Sequence, residues 1–134
     1  MSSYLSFYLK LKEENTKPVF LTCYHRNDPV YQSFYENISI AYAGNEETYT
    51  HLTINDVNRI IADLKGDISN VKKRITTYKE HANGSLEIIN EIISSEEYLE
   101  ELISTLHSVY FIQDLVNNTE NSIGDYSEVL CNID

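Results

Sequence analysis

The chain has 134 residues, a single ordinary domain's worth. Hydrophobic residues at 42% and charged residues at 23% fit a globular chain, and four Gly with two Pro favour long regular elements over many short strands. A formal net charge of −11 with a pI near 4.7 excludes direct wrapping of nucleic acid or anionic lipid through bulk charge.

In chain order, Leu5, Phe7, Leu9 and Leu11 alternate with Tyr4, Ser6, Tyr8 and Lys10, the pattern of a strand with one buried face. A polar turn over Lys12 to Lys17 leads to a second alternating run, in which Val19, Leu21 and Cys23 oppose Phe20, Thr22 and Tyr24. The two runs predict a β-hairpin. Tyr4, Tyr8 and Tyr24 are expected on the face opposite Leu5, Leu9 and Cys23, either under a helix or as an exposed aromatic platform of the type favoured at protein interfaces. Asn27, Asp28 and Pro29 then supply capping chemistry for a short helix from Val30 to about Asn37.

The strongest pattern starts at Thr53, where an acid follows three residues after a capping threonine. Ile54, Val57, Ile61, Leu64, Ile68, Val71, Ile75, Tyr78 and Ala82 follow at steps of three and four, a seam of about four heptads. Asn83 and Gly84 supply a left-handed stop and Ser85 a new cap. A second helix repeats the spacing through Ile88, Ile92, Ser95, Leu99, Leu102, Leu106 and Val109, which predicts an antiparallel helical hairpin. A tight turn between Asn83 and Gly84 sets Ile61 against Leu106, Ile68 against Leu99 and Ile75 against Ile92. Leu102 to Val116 is apolar around most of its circumference and belongs inside the head of the molecule. After a polar stretch from Asn117 to Gly124, the alternation of Val129, Cys131 and Ile133 marks a candidate third strand. The expected architecture is a single α+β domain. Residues 1–52 form a β-hairpin and short helix, 53–118 the coiled-coil-like hairpin, and 119–134 the C-terminal segment.

Charge is distributed unevenly. All ten Lys and Arg lie at or before Lys79, whereas twelve of the 21 acids lie after it. Glu87 and Glu91, Glu96 and Glu100, and Glu97 and Glu101 are like charges four apart, each pair costing a few tenths of a kcal/mol in an isolated helix. Across the hairpin Lys72, Lys73, Arg74 and Lys79 can offset part of this cost. The sharper reading is an acidic stripe through Glu96, Glu97, Glu100 and Glu101 offered to a basic protein surface, including mimicry of a nucleic-acid backbone.

No phosphate-binding glycine loop, nucleophile elbow or HExxH pair occurs. Cys23, His25 and Cys131 form an imaginable metal or thiol site, but Cys23 falls on the expected apolar face, where a buried cysteine is commonplace. No cofactor, metal or catalytic residue is therefore assigned. Two cysteines and the lack of a long apolar run predict a cytoplasmic protein with no membrane contact. The expected function is a non-enzymatic, acidic protein-binding protein. Its size, acidity and richness in Ile, Asn and Tyr suggest a small phage or mobile-element inhibitor or adaptor. The alternative is an assembly protein that homodimerises through Ile89 and Ile93 of its hairpin.

Overall fold

A computed structural model describes residues 3–13, 16–44, 48–120 and 126–134. Its elements are β1 (Tyr4–Leu11), β2 (Val19–His25), α1 (Pro29–Asn37), β3 (Thr50–Leu52), α2 (Ile54–Glu80), α3 (Leu86–Glu120) and β4 (Tyr126–Ile133). The strands form one antiparallel sheet in the order β2-β1-β4-β3. The C-terminal strand therefore joins the sheet, not at an edge but between β1 and β3. Part of the turn after β1 and the segment 121–125, where the sequence predicts polar connections, lie outside the described residues.

Local chemistry sets the starts of α1 and α2 where the sequence places them. Asp28 caps α1, its Oδ1 accepting from the Val30 amide at 2.9 Å, with Pro29 in the first turn. Thr53 caps α2 by accepting from the Asp56 amide at 3.2 Å, while its hydroxyl donates to the Asp56 carboxylate at 2.9 Å. The stop of α2 is corrected: the helix ends at Glu80 with His81 as its C-cap at φ −103°, and the left-handed Gly84, φ +79°, lies further on in the connection, where the Asn83 side chain accepts from the Ser85 amide at 3.0 Å. The last helix continues through the expected polar stretch as far as Glu120. There Thr119 is buried and satisfied by donating to the Val116 carbonyl at 2.9 Å.

One hydrophobic core joins the sheet to the helices. Leu5, Phe7, Leu52, Val129, Cys131 and Ile133 from the strands meet Val30 and Phe34 of α1, Val57, Ile60, Ile61 and Leu64 of α2, and Val109, Ile112 and Val116 of α3. The hairpin seam continues beyond this head through the buried Ile68, Val71 and Ile75. Links between the helices lie further along α3 than the expected register: Asn58 accepts from Gln113 at 2.9 Å, and Lys79 bridges to Glu96 at 3.0 Å. Ala82 lies beyond the end of α2 and is exposed, so the seam stops one turn short of the expected one.

Two expectations for the sheet are corrected. In the β1–β2 ladder Phe7 pairs with Thr22 and Tyr8 with Phe20, so Leu21 is an extra residue at a bulge. One extra residue turns over every side chain beyond it. Tyr24, paired with Leu5, consequently packs against the core with its ring edge on Phe7, while Cys23, paired with Ser6, is exposed on the other face. Tyr24 thus does not share a face with Tyr4 and Tyr8. The second correction is β3, a three-residue strand unseen in the sequence reading; its Leu52 is fully buried immediately before the Thr53 cap.

Candidate interaction surfaces

Three surfaces concentrate the residues singled out by sequence. The first is a groove of about 250 Å³ where α1 crosses the hairpin, lined by Pro29, Gln32, Ser33 and Glu36 of α1, Asp63, Leu64 and Asp67 of α2, and Tyr98, Glu101, Leu102 and Thr105 of α3. Four carboxylates from three helices converge on it. Glu36 accepts from the Gln32 side chain at 2.8 Å, and among the described residues none of the four forms an ion pair. Asp67 is pushed above its ordinary carboxylate range, first by partial burial and then by the negative charges of Asp63 and Glu36. Sequence reasoning named Glu101 but missed Glu36, Asp63 and Asp67. Glu36 sits on a separate short helix, and only the packing of α1 across the hairpin brings it there.

The second surface is the opposite edge of the hairpin. Here Lys72, Ile75, Thr76 and Lys79 of α2 face Glu96, Leu99 and Glu100 of α3 across an open groove. The four glutamates expected to form one stripe are therefore divided. Successive helical residues point about 100° apart, so Glu96 and Glu100 fall on this edge and Glu101 on the other. Glu97 is exposed. Of the bases expected to offset the acids, Lys79 does so through Glu96, whereas among the described residues Lys72, Lys73 and Arg74 form no ion pair. Ile89 and Ile93 are exposed by 42% and 49%, and Leu86 by 72%.

The third surface is the outer face of the sheet. Tyr4 meets His25 edge-on at 5.2 Å, and Tyr8 meets both Phe20 at 5.8 Å and Tyr49 at 5.1 Å. Phe20 is 56% exposed, and Leu130, though buried, lies outside the main core. The aromatic platform therefore contains Tyr4, Tyr8, Phe20 and Tyr49, with Tyr24 replaced by the exposed Cys23. Beside it Asn132 is buried, donating to the Thr48 carbonyl at 3.0 Å while its Oδ1 lacks a partner among the described residues.

The remaining chemistry is accounted for by position. Cys131, paired with Phe7, faces the core, and burial pushes its thiol from 9.0 up to about 12, with a smaller push from Asp56. Cys23 and His25 lie on the opposite side of the sheet, so the two cysteines cannot share a ligand or act on one substrate. Among the described residues no group of three or more His, Cys, Asp or Glu is placed to hold a metal ion, and no helix is long and apolar enough to cross a membrane. Comparison of the chain with protein-family models, curated proteins and solved structures finds no match.

Proposed function

We propose that this protein is a non-enzymatic binding protein, a small inhibitor or adaptor, which receives a basic protein surface at the groove between α1 and the hairpin. The carrying observation is the convergence of Glu36, Asp63, Asp67 and Glu101 on one concavity without a cationic partner among the described residues. Carboxylates crowded in this way repel one another, and the upward push on Asp67, which comes first from its partial burial, also contains the repulsion of Asp63 and Glu36. A lysine or arginine from a partner relieves the repulsion, and the net charge of −11 steers such a partner from a distance. Groove walls from Leu64, Tyr98 and Leu102 suit the aliphatic stem of the incoming side chain.

A direct test is fluorescence anisotropy with an arginine-rich peptide, comparing the native chain with a Glu36→Gln, Asp63→Asn, Asp67→Asn, Glu101→Gln variant. The native chain is expected to bind at least tenfold more tightly at low salt, with the advantage shrinking as salt rises. A matched Glu87→Gln, Glu91→Gln, Glu97→Gln, Asp114→Gln variant removes the same charge elsewhere and should keep most of the affinity. Equal losses in the two variants would show only bulk attraction and would defeat the groove assignment.

A further inference from the structure

The hairpin edge away from α1 is organised differently from the acidic groove, and it points to a second copy of this chain. Asn58, Lys65, Lys72 and Lys79 recur every seven residues along α2, the spacing that keeps side chains in register along paired helices. Lys65 lies over the Tyr110 ring at 5.8 Å and Lys79 bridges to Glu96 at 3.0 Å. Lys72, midway between them, lines the same groove as Glu100 but forms no ion pair among the described residues. Along α3 the exposed Ile89 and Ile93 run into Glu96 and Glu100 at steps of four, three and four. The edge thus has a basic rim on one helix and an apolar and acidic rim on the other, matched in charge, with Lys72 and Glu100 in no ion pair among the described residues.

We propose that this edge is the interface of a homodimer in which two hairpins lie against each other as a four-helix bundle with both tips at the same end. Two-fold symmetry offers two ways to lay one hairpin on a second. An axis across the hairpin stacks α2 on α2 and α3 on α3, setting bases on bases and acids on acids. An axis along the hairpin sets α2 of each copy on α3 of the other, antiparallel. The second arrangement keeps each residue at its own height along the hairpin, so it brings Lys72 of one copy to Glu100 of the other and Lys79 to Glu96, and it lays the Lys79 stem beside Ile93. Charge complementarity selects it. It also gives the tip the second packed layer that a lone helix pair lacks.

Sedimentation equilibrium of the full chain over a concentration series tests the association, and a spin-label distance tests the geometry. The native chain is expected to dimerise, and Ile89→Glu with Ile93→Glu should raise the dissociation constant at least tenfold while leaving helicity unchanged, since both side chains are exposed. Chains carrying Lys72→Glu with Lys79→Glu, or Glu96→Lys with Glu100→Lys, should be monomeric apart and dimeric when mixed. Spin labels on Asn83→Cys in a Cys23→Ser background should lie within about 20 Å, two interhelical spacings. A native chain monomeric to its highest soluble concentration, a dimer unaffected by Ile89→Glu and Ile93→Glu, or tips held a hairpin length apart would each overturn the proposal. The acidic groove lies on the other edge, so peptide binding there survives the loss of the dimer.

Discussion

The base and the tip of the hairpin share one sequence pattern but differ in what surrounds it. At the base Val57 and Ile60 of α2, with Val109, Ile112 and Val116 of α3, are fully buried between the sheet and each other. At the tip the same three-and-four spacing buries Val71 and Ile75 but leaves Leu86, Ile89 and Ile93 in solvent. A heptad seam specifies which helix faces which. It does not specify whether a further layer covers the remaining circumference, and that layer decides how much each side chain contributes to stability. The base is therefore where the domain's stability is concentrated, and the tip is where surface is left for contact.

The sharpest way to break this contrast is to shorten one side chain at each end. Ile112→Ala should cost about 2–5 kcal/mol, because it removes buried methyl groups and leaves a cavity between α3 and the sheet. Ile93→Ala should stay within about 0.5 kcal/mol in the monomer, as expected of an exposed position. Urea titrations of the two variants, at a concentration below any association, measure the difference. Comparable losses would mean that the tip is as deeply packed as the base.

Alkaline titration sharpens the contrast through the two cysteines. Folding raises the Cys131 thiol from 9.0 to about 12 by burying it. Its stabilising contribution is thus complete below pH 9 and is lost as pH rises toward 12, a loss on the order of a few kcal/mol at the upper end. Cys131→Ala should flatten that alkaline slope. With the native chain near neutral pH, an alkylating reagent should label one thiol, Cys23, and reach the second only after unfolding. Rapid labelling of both would place Cys131 outside the core.

A smaller effect is expected at the entrance to α2. Thr53→Ala removes the acceptor for the Asp56 amide and should cost about 1 kcal/mol by thermal or urea denaturation, because α2 enters directly from the buried Leu52. A neutral result would mean that the helix is positioned by the seam alone and that its cap is redundant.

The periodicity of α2 and α3 was legible because nearly every step of the seam is carried by an aliphatic residue, Tyr78 and Ser95 being the exceptions, and the caps at Asp28 and Thr53 mark their own positions chemically. The faces of β2 were not, because the bulge at Leu21 changes the parity without an accompanying Gly or Pro. Tyr24, bulkier than Cys23 and better able to fill space beside Phe7, was the available clue. The short β3 carried too few residues to show alternation. The acidic groove was half legible: Glu101 stood out within the second helix, whereas Asp63, Asp67 and Glu36 converge on it only through the packing of α1 across the hairpin.

The two edges of the hairpin offer the finest comparison, since each carries acids but only one balances them. On the balanced edge Glu96 has Lys79 at 3.0 Å, and Glu100 shares its groove with Lys72. On the other, Asp67 is partly buried and crowded by Asp63 and Glu36, and for those reasons, in that order, its folded form holds a proton to higher pH than the ordinary 3.8. The stability gained from that proton is fully present below 3.8 and lost as pH rises through the folded value, so near neutrality the charged Asp67 is a liability. Asp67→Asn should consequently stabilise the chain slightly at pH 7, by up to about 0.5 kcal/mol because the groove is open to solvent, and the gain should vanish below pH 3.8. Glu96→Gln, which discards an attractive partner, should shift stability the other way by a similarly small amount. Urea midpoints for both variants at pH 7 and pH 3 separate the cases. A loss of stability in Asp67→Asn at neutral pH would mean that the groove already holds a compensating cation, leaving no unmet charge for a basic partner to satisfy.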